Sequence, residues 1–97
     1  MKKQLVIICD VSGSDDINKL LLAHGIDEFT RFEQCSGQGH RTGPRTNDHI
    51  WPGYNVMYVS VVEEAILAEA MGGLRKYREE NPHMGIYAYS TPVEMEI

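Results

Sequence analysis

Two stretches of this chain are apolar on both sides of an extended strand. The first, Gln4 to Val11, is a continuous apolar run rich in β-branched residues. The second runs from Tyr54 to Val62, with Val56, Tyr58, Ser60 and Val62 on one side and Met57, Val59 and Val61 on the other. Strands buried on both faces read as near-continuous apolar runs, whereas strands with one wet face alternate apolar and polar residues. The chain is therefore expected to form a sheet that is covered on both sides.

A helix is predicted after each of these strands. The first begins in the polar stretch 12–16, continues with apolar residues at helical spacing, and ends at Gly25, a residue suited to a helix C-terminus. The second opens at Glu63 and Glu64 and ends at Asn81 and Pro82. Its apolar stripe faces the core and consists of Ile66, Leu67, Ala70, Met71, Leu74 and Tyr77.

The second helix carries two further signals. Gly72 and Gly73 weaken a helix by roughly 1 kcal/mol each relative to alanine, so close packing against a neighbour is the expected reason for the pair. Near the end of the helix, basic side chains oppose the helix dipole and are expected to pair with acidic neighbours on a solvated face. The basic residues are Arg75, Lys76 and Arg78, and the acidic ones are Glu79 and Glu80.

The remaining elements complete a known order. Ile26 to Cys35 is predicted as the second strand, Met84 to Tyr89 as the fourth, and Val93 to Ile97 as a short terminal strand. The order β-α-β-β-α-β predicts an α+β, ferredoxin-like fold with two helices on one face of a four-stranded antiparallel sheet. Residues 1–97 are expected to form a single domain. The other sheet face would then be open and apolar, which predicts self-association.

The composition of the chain argues against several classes of partner and location. The net charge of -5 and the pI near 5.2 argue against nucleic acid, because proteins that bind it usually present a basic face. The first apolar run is too short for a secretory signal, and no other run approaches the length of a membrane span. Two cysteines do not make a disulfide framework, so the expected location is the cytoplasm.

The segment from Ser36 to Gly53 shows neither helical nor strand periodicity and is predicted as a long loop. Loops of this length in compact domains are usually functional. Its glycines let backbone N–H groups approach a ligand closely. Its two arginines can form bidentate hydrogen bonds with phosphate or carboxylate oxygens. The predicted binding residues for a nucleotide or other anion are Gly37, Gly39, His40, Arg41 and Arg45.

This segment, together with Cys35 just before it, also holds side chains that bind metals. Thiolate and imidazole ligands suit zinc or copper, although the spacing here matches no compact metal motif. The candidate ligands are Cys35, His40 and His49, with Asp48 beside them. No nucleophile stands beside an evident base elsewhere in the chain, so an enzyme is not expected.

With these elements in place, the chain resembles the PII signalling superfamily and its CutA-type ion-tolerance relatives. The resemblance covers the whole chain in element order, and Gly37-Gln38-Gly39-His40-Arg41 resembles the start of the PII T-loop. It implies that residues 37–53 are the T-loop and that the protein is a homotrimer whose open sheet faces meet at the centre. It also implies a small effector bound between subunits, and a loop that reports to a membrane transporter, an enzyme or a regulatory protein.

One segment departs from that pattern. PII proteins that bind ATP carry a glycine-rich phosphate-binding segment after the second helix, where this chain has Asn81-Pro82-His83-Met84-Gly85. The resemblance is therefore to a divergent, PII-like branch. Two alternatives stay open: a CutA-like protein that binds copper or zinc, and a dimeric α+β-barrel enzyme whose open sheet face lines a substrate cavity.

Overall fold

The computed structural model describes residues 1–39, 43–45 and 53–97, with the backbone alone at residues 39 and 43–45. Its helices are α1, Ser14–Ala23, and α2, Glu64–Glu80, and a 3₁₀ turn, Val11–Gly13, leads into α1. Its strands are β1, Lys2–Asp10; β2, Thr30–Cys35; β3, Gly37–Gly39; β4, Gly43–Arg45; β5, Asn55–Glu63; and β6, Ile86–Pro92.

Four of these strands form one antiparallel sheet in the order β2-β5-β1-β6. The two strands that are apolar on both faces, β1 and β5, lie at its centre and pair along their whole length, from Lys2 opposite Glu63 to Asp10 opposite Asn55. Both helices pack on the same face of the sheet. The predicted ferredoxin-like α+β fold is confirmed.

The core lies between that face and the helices. It is built from alternate residues of β1 and β5 together with the inward stripes of α1 and α2. The Tyr58 hydroxyl donates to the Ser14 carbonyl at 3.1 Å, and the Ser60 hydroxyl donates to the Glu28 carbonyl at 2.6 Å. The two buried polar groups on the helix face of β5 are therefore hydrogen-bonded, as burial requires. The largest fully buried side chains are Leu5, Ile7, Cys9, Ile17, Leu21 and Tyr58.

Helix α1 ends at Ala23, and the predicted glycine, Gly25, completes its C-terminal cap. Gly25 has φ +77, its N–H donates to the Leu22 carbonyl at 3.0 Å, and the Ile26 N–H donates to the Leu21 carbonyl at 2.8 Å. This pair of bonds is the Schellman arrangement, which satisfies the last carbonyls of the helix. Ile26 is thereby fixed as part of the helix cap, which is why β2 begins at Thr30 and the prediction of a strand from Ile26 was wrong at its start.

The two glycines of α2 have different surroundings. A Cβ at Gly73 would lie 2.9 Å from His24 Nε2, so this glycine is where the end of α1 packs closely against α2. A Cβ at Gly72 would meet no atom within 4 Å. Close packing explains Gly73, and nothing in the described residues explains Gly72.

Two other predictions were wrong. Val93 to Ile97 forms no strand: the Val93 N–H donates to the Lys2 carbonyl at 3.2 Å, and β1, the strand alongside it, begins at Lys2. The segment from Ser36 was predicted without regular structure, yet β3 and β4 form a two-stranded antiparallel ribbon with Gly37 opposite Arg45. Its short strands carry only glycine, glutamine, proline and arginine, so they have no apolar alternation to reveal them.

Candidate functional site

The sheet face opposite the helices, called the open face below, is apolar and uncovered in the single chain. The pairing register of the strands shows which residues lie on this face, because side chains directly opposite one another share a face. Val6 lies opposite both Val59 and Tyr89, and Ile8 lies opposite Met57 and Tyr87. The apolar members of the open face are Val6, Ile8, Phe32, Met57, Val59, Val61, Tyr87 and Tyr89.

These side chains keep much of their surface in water. Tyr87 is 60% exposed, Phe32 and Val61 are each 46% exposed, and Tyr89 is 40% exposed. Val6 is only 3% exposed because its neighbours on the same face surround it. Contiguous apolar surface of this kind is rare on monomers and usually marks an interaction site. The open face is therefore the first candidate for a functional surface.

The predicted binding loop begins at one end of the sheet. Strand β2 is irregular between Phe32 and Cys35, and only Ser36 separates it from β3. A Cβ at Gly37 would lie 2.8 Å from Asn55 Nδ2, so the ribbon starts against the first residue of β5. At this same end the Val11 N–H donates to the Tyr54 carbonyl at 3.0 Å, which ties the segment re-entering β5 to β1. The base of the ribbon is thus fixed to the sheet.

The structure places only part of the predicted anion site. Gly37 pairs with Arg45 and Gly39 pairs with Gly43, which brings three of the five predicted residues into one ribbon. His40 and Arg41 lie outside the described residues. Binding by this set of residues stays a prediction.

The predicted metal ligands are likewise placed only in part. Cys35 has a half-buried thiol that donates to the Phe32 carbonyl at 3.7 Å. His40 and His49, its proposed partners, lie outside the described residues. Across residues 1–39 and 53–97, no three side chains of histidine, cysteine, aspartate or glutamate form a cluster that would hold a metal ion. The metal site stays a prediction.

The polar groups near this end of the sheet have structural roles. Burial and the charge of Asp10 raise the pKa of the Cys9 thiol to about 12, which keeps it protonated and unreactive at neutral pH. Burial and the hydrogen bond to Asp16 raise the pKa of Tyr77 to about 12. That bond is 2.9 Å long and joins α2 to the first turn of α1. Neither group is prepared to act as a nucleophile or base.

The connection from α2 to β6 is a compact turn. The Asn81 side chain donates to the Tyr77 carbonyl at 2.9 Å, and the Met84 N–H donates to the Asn81 carbonyl at 2.9 Å. The Gly85 carbonyl then accepts from the Asp10 N–H at 2.8 Å. These bonds fix the turn to the end of α2 and to β1, and its sequence has no glycine-rich phosphate-binding segment.

A small cleft between α2 and β6 was missed by sequence reasoning. Its volume is about 110 Å³, and it is lined by Met71, Leu74, Arg75, Arg78, Ile86 and Ala88. The predicted pairing of Arg75 and Arg78 with Glu79 and Glu80 is wrong: among the described residues, neither arginine forms an ion pair. The sequence feature that could have indicated the cleft is the spacing of the two arginines. They stand three residues apart and therefore lie on one side of the helix.

No helix in the described part of the chain is both long enough and apolar enough to cross a membrane.

Solved structures of PII-like proteins share this fold. CPII, a nitrogen regulatory PII-like protein from Thiomonas intermedia K12 bound to ADP, AMP and bicarbonate, matches with a TM-score of 0.74 at 20% identity, over 97% of this chain and 89% of CPII. Its apo form matches with a TM-score of 0.67 at 17% identity, over 95% of this chain and 90% of CPII. A protein from Thermus thermophilus, described as a PII-like signaling protein, matches with a TM-score of 0.68 at 18% identity, over 93% of this chain and 84% of that one.

No protein-family model matches the sequence, and no curated protein does either. The resemblance to the PII-like proteins is confirmed by the structures, and at these identities it is a likeness of fold.

Proposed function

We propose that this chain, whose fold is that of the PII-like proteins, is a homotrimeric regulatory protein. In this proposal it binds a small anionic effector between subunits and reports the bound state through residues 37–53. The observation that carries the proposal is the open face, where two central strands and both edge strands present apolar side chains that the chain's own helices do not cover.

Self-association is the simplest way to cover that face. Each square ångström of apolar surface removed from water stabilises the assembly by about 25 cal/mol, and half-exposed residues such as Phe32, Tyr87 and Val61 have much surface to bury. Three copies meeting through their open faces would form a common centre. The number three comes from the resemblance, because PII-like and CutA-like proteins form trimers of this kind.

The effector is proposed to bind at the ribbon. CPII, which shares the fold, is bound to ADP, AMP and bicarbonate in its solved structure, and these three compounds are the first effectors to test here. Two glycines of the ribbon, Gly37 and Gly39, would let backbone N–H groups approach an anion. The side chains of His40, Arg41 and Arg45 would supply positive charge.

The proposed output is docking of residues 37–53 on a membrane transporter, an enzyme or another regulatory protein. The protein would act by binding and not by catalysis. We expect it in the cytoplasm, because Cys9 and Cys35 are both free and a reducing compartment keeps them so.

Limited trypsin digestion tests whether an effector orders the loop. Cleavage after Arg41 is compared with cleavage after Arg31, in the edge strand β2, with and without ADP, AMP or bicarbonate. A ligand that binds and orders the loop is expected to slow cleavage after Arg41 and to leave cleavage after Arg31 unchanged.

An unchanged cleavage rate at Arg41 under saturating amounts of all three compounds would contradict effector reporting through this loop. A dimer in place of a trimer would instead favour the enzyme alternative, since the open face would then line a cavity shared by two copies.

A further inference from the structure

The cleft between α2 and β6 combines an apolar lining with two positive charges. Met71, Leu74, Ile86 and Ala88 supply the apolar side chains, and Arg75 and Arg78 supply guanidinium groups from adjacent positions on one side of α2. Guanidinium groups donate in a planar fork that fits phosphate oxygens in a bidentate manner. The cleft therefore has the chemistry to hold a phosphate beside an apolar group.

The two arginines of the cleft have no acidic partner among the described residues, although the chain carries a net charge of -5. Two basic side chains of the sheet differ in this respect. Lys2 binds Glu96 at 2.8 Å, and Arg31 binds Glu33 at 2.7 Å. Lys3, Lys19 and Lys76 also form no ion pair among the described residues, so Arg75 and Arg78 are distinguished by their position at the cleft.

The cleft is too small to hold a whole nucleotide. Its volume of about 110 Å³ is well below the roughly 300 to 1,000 Å³ typical of pockets for small organic ligands. A second surface is required to enclose the remainder of such a ligand.

The position of the cleft along the sheet makes the ribbon the candidate for this second surface. Ile86, in the cleft, lies opposite Cys9, which lies opposite Val56. The cleft is therefore at the same end of the sheet as the ribbon, but at the β6 edge, whereas the ribbon continues from the β2 edge. Within one chain, two strands separate them. In a closed ring, however, each copy presents one side to the copy before it and a different side to the copy after it.

We infer that Arg75 and Arg78 add phosphate contacts to those proposed for the ribbon, and that the ribbon comes from the neighbouring copy and encloses the rest of the effector. The inference rests on the proposed trimer and adds to it that the β6 side of one copy adjoins the β2 side of the next. It supplies from α2 the phosphate contacts that the turn after α2 lacks.

Isothermal titration calorimetry of the whole protein with ADP tests this assignment. Each variant removes a charge-assisted hydrogen bond to phosphate, so Arg75→Ala and Arg78→Ala are each expected to weaken ADP binding about ten-fold or more. Lys76→Ala is the matched control: it removes the same charge from the same helical turn, and Lys76 does not line the cleft. Its ADP affinity should stay within about two-fold of the parent. All three variants should keep the oligomeric mass of the parent.

An Arg45→Ala variant separates this inference from the proposed function. If Arg45→Ala weakens ADP binding while both α2 variants bind normally, the cleft assignment is overturned and effector binding at the ribbon stands. If the α2 variants lose ADP binding but ADP never protects Arg41 from trypsin, the cleft assignment stands and reporting through the loop is overturned. If the parent protein binds neither ADP nor inorganic phosphate, the assignment is overturned.

Discussion

The two faces of the sheet use the same strands for different purposes. On the helix face, Leu5, Ile7 and Tyr58 are each 1% exposed, because α1 and α2 cover them. On the open face, side chains one position away in the same strands, such as Ile8 and Met57, are only partly buried. The helix face therefore stabilises the single chain, and in the proposed trimer the open face stabilises the assembly. The apolar character of a residue on a central strand does not by itself show whether that residue stabilises the single chain or an assembly.

The largest expected effect comes from placing a charge on the open face. Val59→Asp would bury an unpaired carboxylate at the centre of the proposed trimer, once in each copy, and is expected to abolish assembly. Sedimentation velocity should show a monomer, and circular dichroism should show unchanged secondary structure. Leu22→Asp is the control, since Leu22 is a single exposed apolar residue, 59% exposed, on α1. It should leave the mass unchanged; a Val59→Asp variant that still assembles would contradict the role of the open face.

Replacing each of two adjacent isoleucines, Ile7 on the helix face and Ile8 on the open face, compares the two faces directly. In the monomeric Val59→Asp background, Ile7→Ala should lower the free energy of unfolding by about 2 to 5 kcal/mol, because it leaves a cavity in the core. Ile8→Ala in the same background should cause a clearly smaller loss, since Ile8 is partly exposed in the single chain. Urea denaturation measures both. Equal losses would mean that the two faces contribute alike to the single chain.

The buried thiol gives a pH test of the helix face. Burial raises the pKa of Cys9 from 9.0 to about 12, so the folded state favours the neutral thiol more strongly than the unfolded state does. That preference is fully present below pH 9 and is lost as the pH rises from 9 to 12. Unfolding free energy should fall across this window, and Cys9→Ala should make the fall shallower. At pH 8, iodoacetamide should label Cys35 and leave Cys9 unlabelled; rapid labelling of Cys9 would contradict its burial.

The smallest expected effect distinguishes the paired glycines of α2. Gly72→Ala should raise the free energy of unfolding by about 1 kcal/mol, because alanine favours the helix and its Cβ would meet no atom within 4 Å. Gly73→Ala should gain less, because its Cβ would displace the His24 ring. Chemical denaturation of the single variants, and of Gly73→Ala in a His24→Ala background, measures the difference. Equal gains at both positions would show that His24 moves aside without loss.

Much of this fold could be predicted because its central strands have a distinctive composition. The β-branched runs of β1 and β5 and the glycine that ends α1 predicted the element order, and the two-sided apolar pattern predicted the open face. The wrong predictions concern segments whose structure depends on whether a neighbouring strand is there to pair with them. Val93 to Ile97 alternates like a strand but lies beyond the start of β1, and the ribbon of β3 and β4 has no apolar side chains to mark it.

The candidate site was less predictable, because it depends on distant contacts. The neighbourhood of Gly37 and Asn55 was not evident from either residue alone. Arg75 and Arg78 were interpreted as part of a solvated, ion-paired face, since helix spacing gives possible partners but does not show whether pairs form. The cleft exists only because β6 runs beneath the second half of α2.

Native mass spectrometry of protein purified gently from its own cells tests the central claim most directly. It measures the mass of the assembly and of any retained ligand in one experiment. We predict three times the chain mass of 11.0 kDa, with a bound nucleotide or other anion. A dimer, or a monomer with no partner at any concentration, would contradict the claim that the open face builds a PII-like trimer.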